Sequence, residues 1–309
     1  MSTLSLCAAP KARAAAAPCE APLAAALVYP CDEISLRVAV EAASTGLLDP
    51  VLVGPAATMQ RLAAMHALDL SGCSLVDAAS ARAALEVAAQ LARDGEVGAL
   101  VQGALPADEI VAVVMRKDHG LRVAPRLSQV AVVQLPGRSR PLLITDAAIN
   151  VSPSLEDKAQ IVQNAIRLAQ ALGVAMPKVA ILSSTDTVSP RIPSTLDAAV
   201  LCKMAERGQI AGGLLDGPLA LDDAICAETA RTKGLASPVA GDADILLVPD
   251  LVAGDLLVKQ LRLFAAADVA GVVLGARLPV IMAGATDTLR SRLASCAIAA
   301  RLAAAQLSH

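Results

Sequence analysis

Aromatic side chains are almost missing from this chain: no tryptophan, one tyrosine and one phenylalanine in 309 residues. That removes the stacking platforms on which single-stranded nucleic acids are held, and 26 basic against 29 acidic residues leave no basic footprint for a duplex. Histidine is nearly absent too, at positions 66, 119 and 309 only. A Ser-His-Asp hydrolase needs a histidine beside its nucleophile, so that chemistry is disfavoured. The seven cysteines at 7, 19, 31, 73, 202, 226 and 296 form no Cys-x-x-Cys pair. Neither a zinc site nor a disulfide framework is indicated, and isolated thiols in odd number suit a reducing cytoplasm. Neither Gly-x-Gly-x-x-Gly nor Gly-x-x-x-x-Gly-Lys-Ser/Thr occurs, which counts against dinucleotide and P-loop sites. Every long apolar run is broken by a charge or a proline, so no membrane span is expected.

What is present is alanine, leucine and valine, in a chain 55% apolar. Small side chains suit helices laid close on a sheet, and the length admits two domains. Residues 1–23, rich in alanine with Lys11, Arg13 and Glu20 interspersed, read as a disordered tail without the apolar core of a signal peptide. Apolar runs at 24–29, 51–53, 130–133, 142–145, 179–182, 245–248, 270–274 and 279–282 read as strands. Helical patterns at 35–43, 56–68, 80–93, 107–117, 194–208, 219–232 and beyond 286 fall between them. The repeat of about 25 to 30 residues is that of βαβ crossovers. Asp32 reads as a helix cap before 35–43. Ser154 and Asp157 make a capping-box start for the clearest helix, whose stripe is Ile161, Val162, Ala165, Ile166, Leu168 and Leu172. Ser194 is expected to cap the 194–208 helix, and Asp216-Gly217-Pro218 to form a polar turn.

One stretch organises the rest: Ser237-Pro-Val-Ala-Gly-Asp-Ala-Asp-Ile-Leu-Leu-Val-Pro-Asp-Leu-Val-Ala-Gly254 and the helical run carrying Lys259. Its apolar segment 245–248 reads as a strand buried on both faces, with polar residues outside its two ends. Ligands of open α/β sheets lie beyond the carboxyl ends of the strands, so the turn 249–254 is expected to face a cleft. Asp255 then reads as a cap that puts Lys259 one turn into a helix, in reach of an anion. Lys259 has a plain alternative as a solvated surface lysine. Asp216-Gly217 and Gly241-Asp242 have one as turn chemistry. Cys31, at a strand end before a helix, reads as a packed thiol rather than a nucleophile, since no histidine stands near it in the motif.

This stretch resembles the phosphate acetyltransferase and phosphate butyryltransferase family, its butyryl-type branch above all. So do Thr145-Asp-Ala-Ala-Ile-Asn150, Ile192-Pro-Ser-Thr-Leu-Asp-Ala-Ala199, Gly213-Leu-Leu-Asp-Gly-Pro218 and Pro30-Cys-Asp-Glu33. The likeness runs from about residue 25 to the C-terminus. It implies an α/β fold of two three-layer domains with largely parallel sheets and a cleft between them, like that of isocitrate and isopropylmalate dehydrogenases. Domain I would take 1–140 and 275–309, domain II 141–274. It implies transfer of a short-chain acyl group between CoA and inorganic phosphate, by a homodimer, with CoA and phosphate as substrates and no cofactor, metal, nucleic-acid or membrane partner. The site residues it implies are Asp287 and Arg122 for catalysis, and Thr145, Asp146, Asn150, Asp216, Gly217, Asp242, Asp250 and Lys259 for substrate.

The chain departs from the family pattern at a few polar positions. The Ser-Arg of the turn before the last helix is Gly284-Ala285 here, the His-Thr near 107 is Pro106-Ala107, an Arg falls at Ala112 and an Asn at Asp255. Arg116, one helical turn after Ala112, stands as a compensating cation. These swaps imply a slow transferase, with a silent acyl-CoA or acyl-phosphate binder as the second reading. A relative of the decarboxylating dehydrogenases is the third, its metal-binding aspartates and nicotinamide motifs being unrecognisable.

Overall fold

The computed structural model describes residues 21–284 and 286–307. The tail expected over 1–23 lies outside them as far as residue 20, as do Ala285 and His309. The chain divides into two compact units at Pro125/Arg126 and Val269/Ala270.

The first unit opens with β1 (Leu23–Val28), α1 (Glu33–Ser44), β2 (Leu48–Gly54), α2 (Ala56–Met65), β3 (Ser74–Asp77), α3 (Ala81–Asp94), β4 (Ala99–Gln102) and α4 (Ala107–Met115). The second holds β5 (Ser128–Gln134), β6 (Leu142–Thr145), α5 (Leu155–Ala171), β7 (Lys178–Leu182), α6 (Pro193–Glu206), β8 (Leu214–Leu219), α7 (Leu221–Ile225), α8 (Ala227–Thr232), β9 (Ile245–Leu247) and α9 (Leu251–Phe264). Then β10 (Asp268–Leu274) leads back to β11 (Val280–Ile281) and α10 (Leu289–Leu307) of the first unit.

In the first unit the strand order is β3-β2-β1-β4-β11-β10, parallel except for the β10–β11 pair. Side chains of β1 alternate between faces. Ala25 and Leu27 join one buried cluster with Leu36 and Ala39 of α1, Met59 of α2 and Cys296 and Ala299 of α10. The α3 helix packs on β1 and β2, yet its buried Leu85 and Ala88 stand outside that cluster, so it covers the other face. In the second unit the order is β5-β6-β9-β7-β8, again parallel but for β5–β6. Leu142, Ile144, Ala180 and Leu246 face α7 and α9, while α5 and α6 lie against the opposite face. Each unit is thus three layers, as a sheet buried on both sides requires.

Local signals explain the element ends. Asp32 caps α1, accepting from Ser35 N at 2.8 Å, and Gly46 leaves it with φ +66°. Ser154 and Asp157 close the capping box of α5, whose fully buried Ile161, Ile166 and Leu168 contribute about 1.5–3 kcal/mol each by leaving water. Other expectations change. Ser194 does not cap α6: Ile192 does, with Pro193 in the first turn, where a missing N–H costs nothing. Asp216-Gly217-Pro218 is not a turn but the middle of β8, whose place at the sheet edge tolerates a proline. A Cβ on Gly217 would stand 2.7 Å from the Ile181 carbonyl, so only glycine permits that approach. The 219–232 helix is two helices, broken at an extended Cys226. Asp250, not Asp255, caps α9. The unit boundary falls before β5 rather than in the 136–141 turn, because β5 is held in register by β6.

Charges gather at the amino ends of the second unit's strands. Asp242 accepts from Lys178 Nζ at 2.8 Å and pairs with Arg140. Asp244, buried just before β9, takes Arg140 Nη1 at 2.7 Å and Lys178 N at 3.0 Å. The Lys178 ammonium, with Arg140, holds the Asp242 carboxyl below its ordinary value of 3.8, against the smaller opposing pull of burial. A lowered folded pKa stabilises the protein above the unfolded pKa, and that gain disappears as pH falls through the folded value. Asp242→Asn should therefore lower stability at neutral pH, and urea unfolding should show the gap to the parent closing below about pH 4.

Candidate functional site

The carboxyl edge of the second unit begins at Thr145, fully buried, whose Oγ1 donates to the Gln129 carbonyl at 2.9 Å. Asp146 follows and is buried as well. Its carboxylate accepts from Ala148 N (2.9 Å), Ile149 N (3.1 Å), Asn150 N (3.3 Å) and Asn150 Nδ2 (2.6 Å). Burial pushes the Asp146 carboxyl above its ordinary range, while those donors pull the other way. Asn150 Nδ2 also donates to the Leu127 carbonyl at 2.8 Å, which ties the loop to the start of β5.

The next strand end delivers Asp250, which accepts from Ala253 N at 2.9 Å and starts α9. One residue on, a Cβ at Gly254 would lie 2.9 Å from the Asp146 carbonyl oxygen and 3.0 Å from Ala147 Cα. The first turn of α9 therefore rests directly on the Asp146 loop, and the structure brings Thr145, Asp146, Asn150 and Asp250 together. After β7, Ser183 Oγ meets Ser194 Oγ at 2.8 Å, and Thr195 Oγ1 takes Ser189 N at 2.9 Å. This edge offers hydroxyls and the N-terminal ends of α6 and α9, groups suited to an anion. Among the described residues, no group of three or more His, Cys, Asp or Glu side chains is placed to hold a metal ion.

The remaining expected residues fall elsewhere. Asp216 and Gly217 sit within β8, the Asp216 carboxylate turned onto Gly217 N at 2.8 Å. Asp242 belongs to the amino edge, among its own ion pairs. Lys259 is not at a helix start: it lies two turns into α9, 63% exposed, bound to Asp255 at 2.8 Å. That correction follows from Asp250 taking the cap and moving the helix start five residues back.

In the first unit, Arg122 lies beside the loop that enters β11, bridged to Ala276, and donates to the carbonyls of Ala124 (3.1 Å) and Pro125 (2.9 Å). That is the amino edge. Arg116 does not reach back along α4, because Glu86 of α3 and Asp118 bind it. The carboxyl edge carries Tyr29, Cys31, Asp32, Gly103 and the turn after β11. Tyr29 has φ 54°, rare for a bulky residue, and its carbonyl accepts from Ala104 N at 2.8 Å. Burial raises the Cys31 thiol, which packs at the rim of the core, in keeping with the packed-thiol reading. Asp287 closes its turn by accepting from Gly284 N at 2.8 Å. Gly284 has no positive φ, and a Cβ there would first meet the Asp287 carboxylate at 3.3 Å. A side chain there meets no backbone strain but needs the Asp287 carboxylate to give by a few tenths of an ångström. Sequence reasoning passed over Arg292, in the first turn of α10 at this same edge. Its signal was a cation where a helix dipole prefers an anion.

Asp146 is the keystone of the second unit's edge. Asp146→Ala leaves at least two backbone N–H groups without their acceptor and should cost about 1–3 kcal/mol or more in urea unfolding. Amide exchange at Ala148–Asn150 should accelerate in the same variant. An unchanged unfolding curve would mean that the loop holds without it.

The chain matches the family model "Phosphate acetyl/butaryl transferase" over residues 79–300. It is 52% identical over 273 residues to the phosphate acetyltransferase of Rhizobium meliloti, covering 88% of this chain and 86% of that protein. It is 36% identical over 273 residues to the phosphate butyryltransferase of Clostridium beijerinckii, covering 88% and 90%. Among solved structures, the branched-chain phosphotransacylase from Enterococcus faecalis V583 superposes with a TM-score of 0.80 at 27% identity, over 91% of this chain and 99% of that one. Relatives named for acetyl and for butyryl transfer both align along most of the chain, so the butyryl-type branch is not singled out. The chain belongs to the phosphate acetyl/butyryl transferase family.

Proposed function

We propose that this protein is an acyltransferase that moves a short-chain acyl group between CoA and inorganic phosphate. The observation that carries the reading is 52% identity to a phosphate acetyltransferase along 88% of the chain. In the forward sense a phosphate oxygen attacks the thioester carbonyl carbon, the C–S bond breaks, and CoA leaves as its thiolate. A thiol pKa of about 8.5 makes that a good leaving group. The reaction asks for positioning and for donors to the developing oxyanion rather than for a covalent intermediate. Positioning of that kind is supported by the locked Thr145–Asn150 and 249–254 loops of the second unit. CoA and phosphate serve as substrates, and no further cofactor enters.

The same reading places the protein in the cytoplasm, in keeping with free cysteines at 31, 73, 202, 226 and 296. No helix among the described residues is long and apolar enough to cross a membrane. A homodimer is supported by α9, which exposes Val252, Leu256 and Leu263 (75%) along one side, with Phe264 (87%) at its end. Four large apolar side chains on one helix are a natural self-association face.

Two measurements test these points. CoA release from acetyl-, propionyl- and butyryl-CoA should depend on phosphate for at least one of the three. Release that ignores phosphate, or none from any of them, would overturn the acyltransferase reading. Turnover at about 10 s⁻¹ or faster would show that residues other than 284 and 285 carry the chemistry. Light scattering should give a dimer for the parent and a monomer for Leu263→Glu. A monomeric parent, or a variant that stays dimeric, would remove α9 from the interface.

A further inference from the structure

We propose that Arg292 is a binding residue for a phosphate group at the carboxyl edge of the first unit. This rests on the phosphate chemistry of the reaction proposed above and adds to it a residue that the sequence comparison did not single out.

Arg292 lines a recess of about 10 Å³, the size of one water, together with Leu27, Val101, Ile281, Ser35 and Gln102. Its Nε is buried and has no hydrogen-bond partner among the described residues. Its Nη1 reaches Ser35 Oγ only at 3.4 Å. The side-chain acceptors of Asp32 and Gln102 are already engaged. The Asp32 carboxylate takes Ser35 N and Ser35 Oγ, both at 2.8 Å, and so spends its charge on the cap of α1. Gln102 Oε1 accepts from Ala283 N at 3.0 Å, and its Nε2 donates to the Leu105 carbonyl at 2.7 Å. No carboxylate among the described residues forms an ion pair with Arg292.

A half-buried guanidinium with an unpaired Nε and one long contact at Nη1 carries a desolvation cost that an incoming anion removes. Its planar fork fits two oxygens of a phosphate. The recess admits one oxygen beside Nε, while the rest of the anion stays outside, at the strand ends where open α/β sheets take ligands. The N-terminal turns of α1 and α10 add their partial positive charge from two sides. Thr288 Oγ1 holds the α10 turn by accepting from Ser291 N at 3.2 Å. The phosphate group is either the inorganic substrate or one of those on CoA.

Calorimetric titration of the full-length parent, Arg292→Gln and Arg292→Lys, first with inorganic phosphate and then with CoA, decides between these sources. Arg292→Gln should weaken one of the two ligands at least about tenfold and leave the other within twofold. Arg292→Lys, which keeps charge but loses the fork, should fall between. The ligand that weakens names the source, and its KM should rise with it. The same ligand should raise the parent's melting temperature and not that of Arg292→Gln. Without ligand, Arg292→Gln should melt no lower than the parent, since the lost cation had no ion-pair partner among the described residues and only a long contact to Ser35. Affinities for both ligands within twofold of the parent would overturn the assignment, as would a parent that binds neither. A parent that binds phosphate or CoA through Arg292 and yet does not turn over would refute the acyltransferase reading while leaving the assignment standing.

Discussion

A single buried carboxylate organises the carboxyl edge of the second unit. Asp146 leaves the end of β6 and gathers the backbone N–H groups of Ala148, Ile149 and Asn150 around itself. Through Asn150 it reaches the start of β5, and its own carbonyl forms the floor on which Gly254 and the first turn of α9 rest. Three elements distant in sequence thus share one anchor. Its charge is spent on structure, which leaves the neighbouring hydroxyls and helix ends for a ligand.

Charge is distributed unequally between the two ends of the strands. At the amino ends the ionic groups are satisfied inside the protein: Arg140 and Lys178 with Asp242 and Asp244, Arg116 with Glu86 and Asp118, Arg122 with carbonyl oxygens. At the carboxyl end of the first unit, Arg292 has only a long contact to a serine hydroxyl. Satisfied groups secure the fold, whereas a half-satisfied one is tolerated where function requires it.

Periodicity and caps made much of this legible in advance. β6 falls on the four residues 142–145 that the apolar run marked, and the Ser154 box starts α5 where expected. Signals weakened where two principles competed. β4, fully buried at 99–102, went unmarked because a short apolar run beside the 80–93 helix looks like its continuation. β3 is a half-exposed edge strand with little contrast. Asp216-Gly217-Pro218 carries turn residues, but pairing with β7 at a sheet edge overrode their local preference. Lys259 was misplaced by one choice of cap, Asp255 for Asp250. Motif likeness named Asp242 and Arg122 without saying at which end of a strand a residue lies, and the fold sets both at the amino edge.

The poverty in aromatic residues has a practical side. With no tryptophan in the chain, emission from the folded protein must come almost wholly from Tyr29. That ring belongs to a residue held at φ 54° at the end of β1, next to the cap of α1 and the loop after β4. Nature has in effect left one optical label in the protein, at the edge where Arg292 waits. A change in the surroundings of that ring is therefore read as light from a single known position.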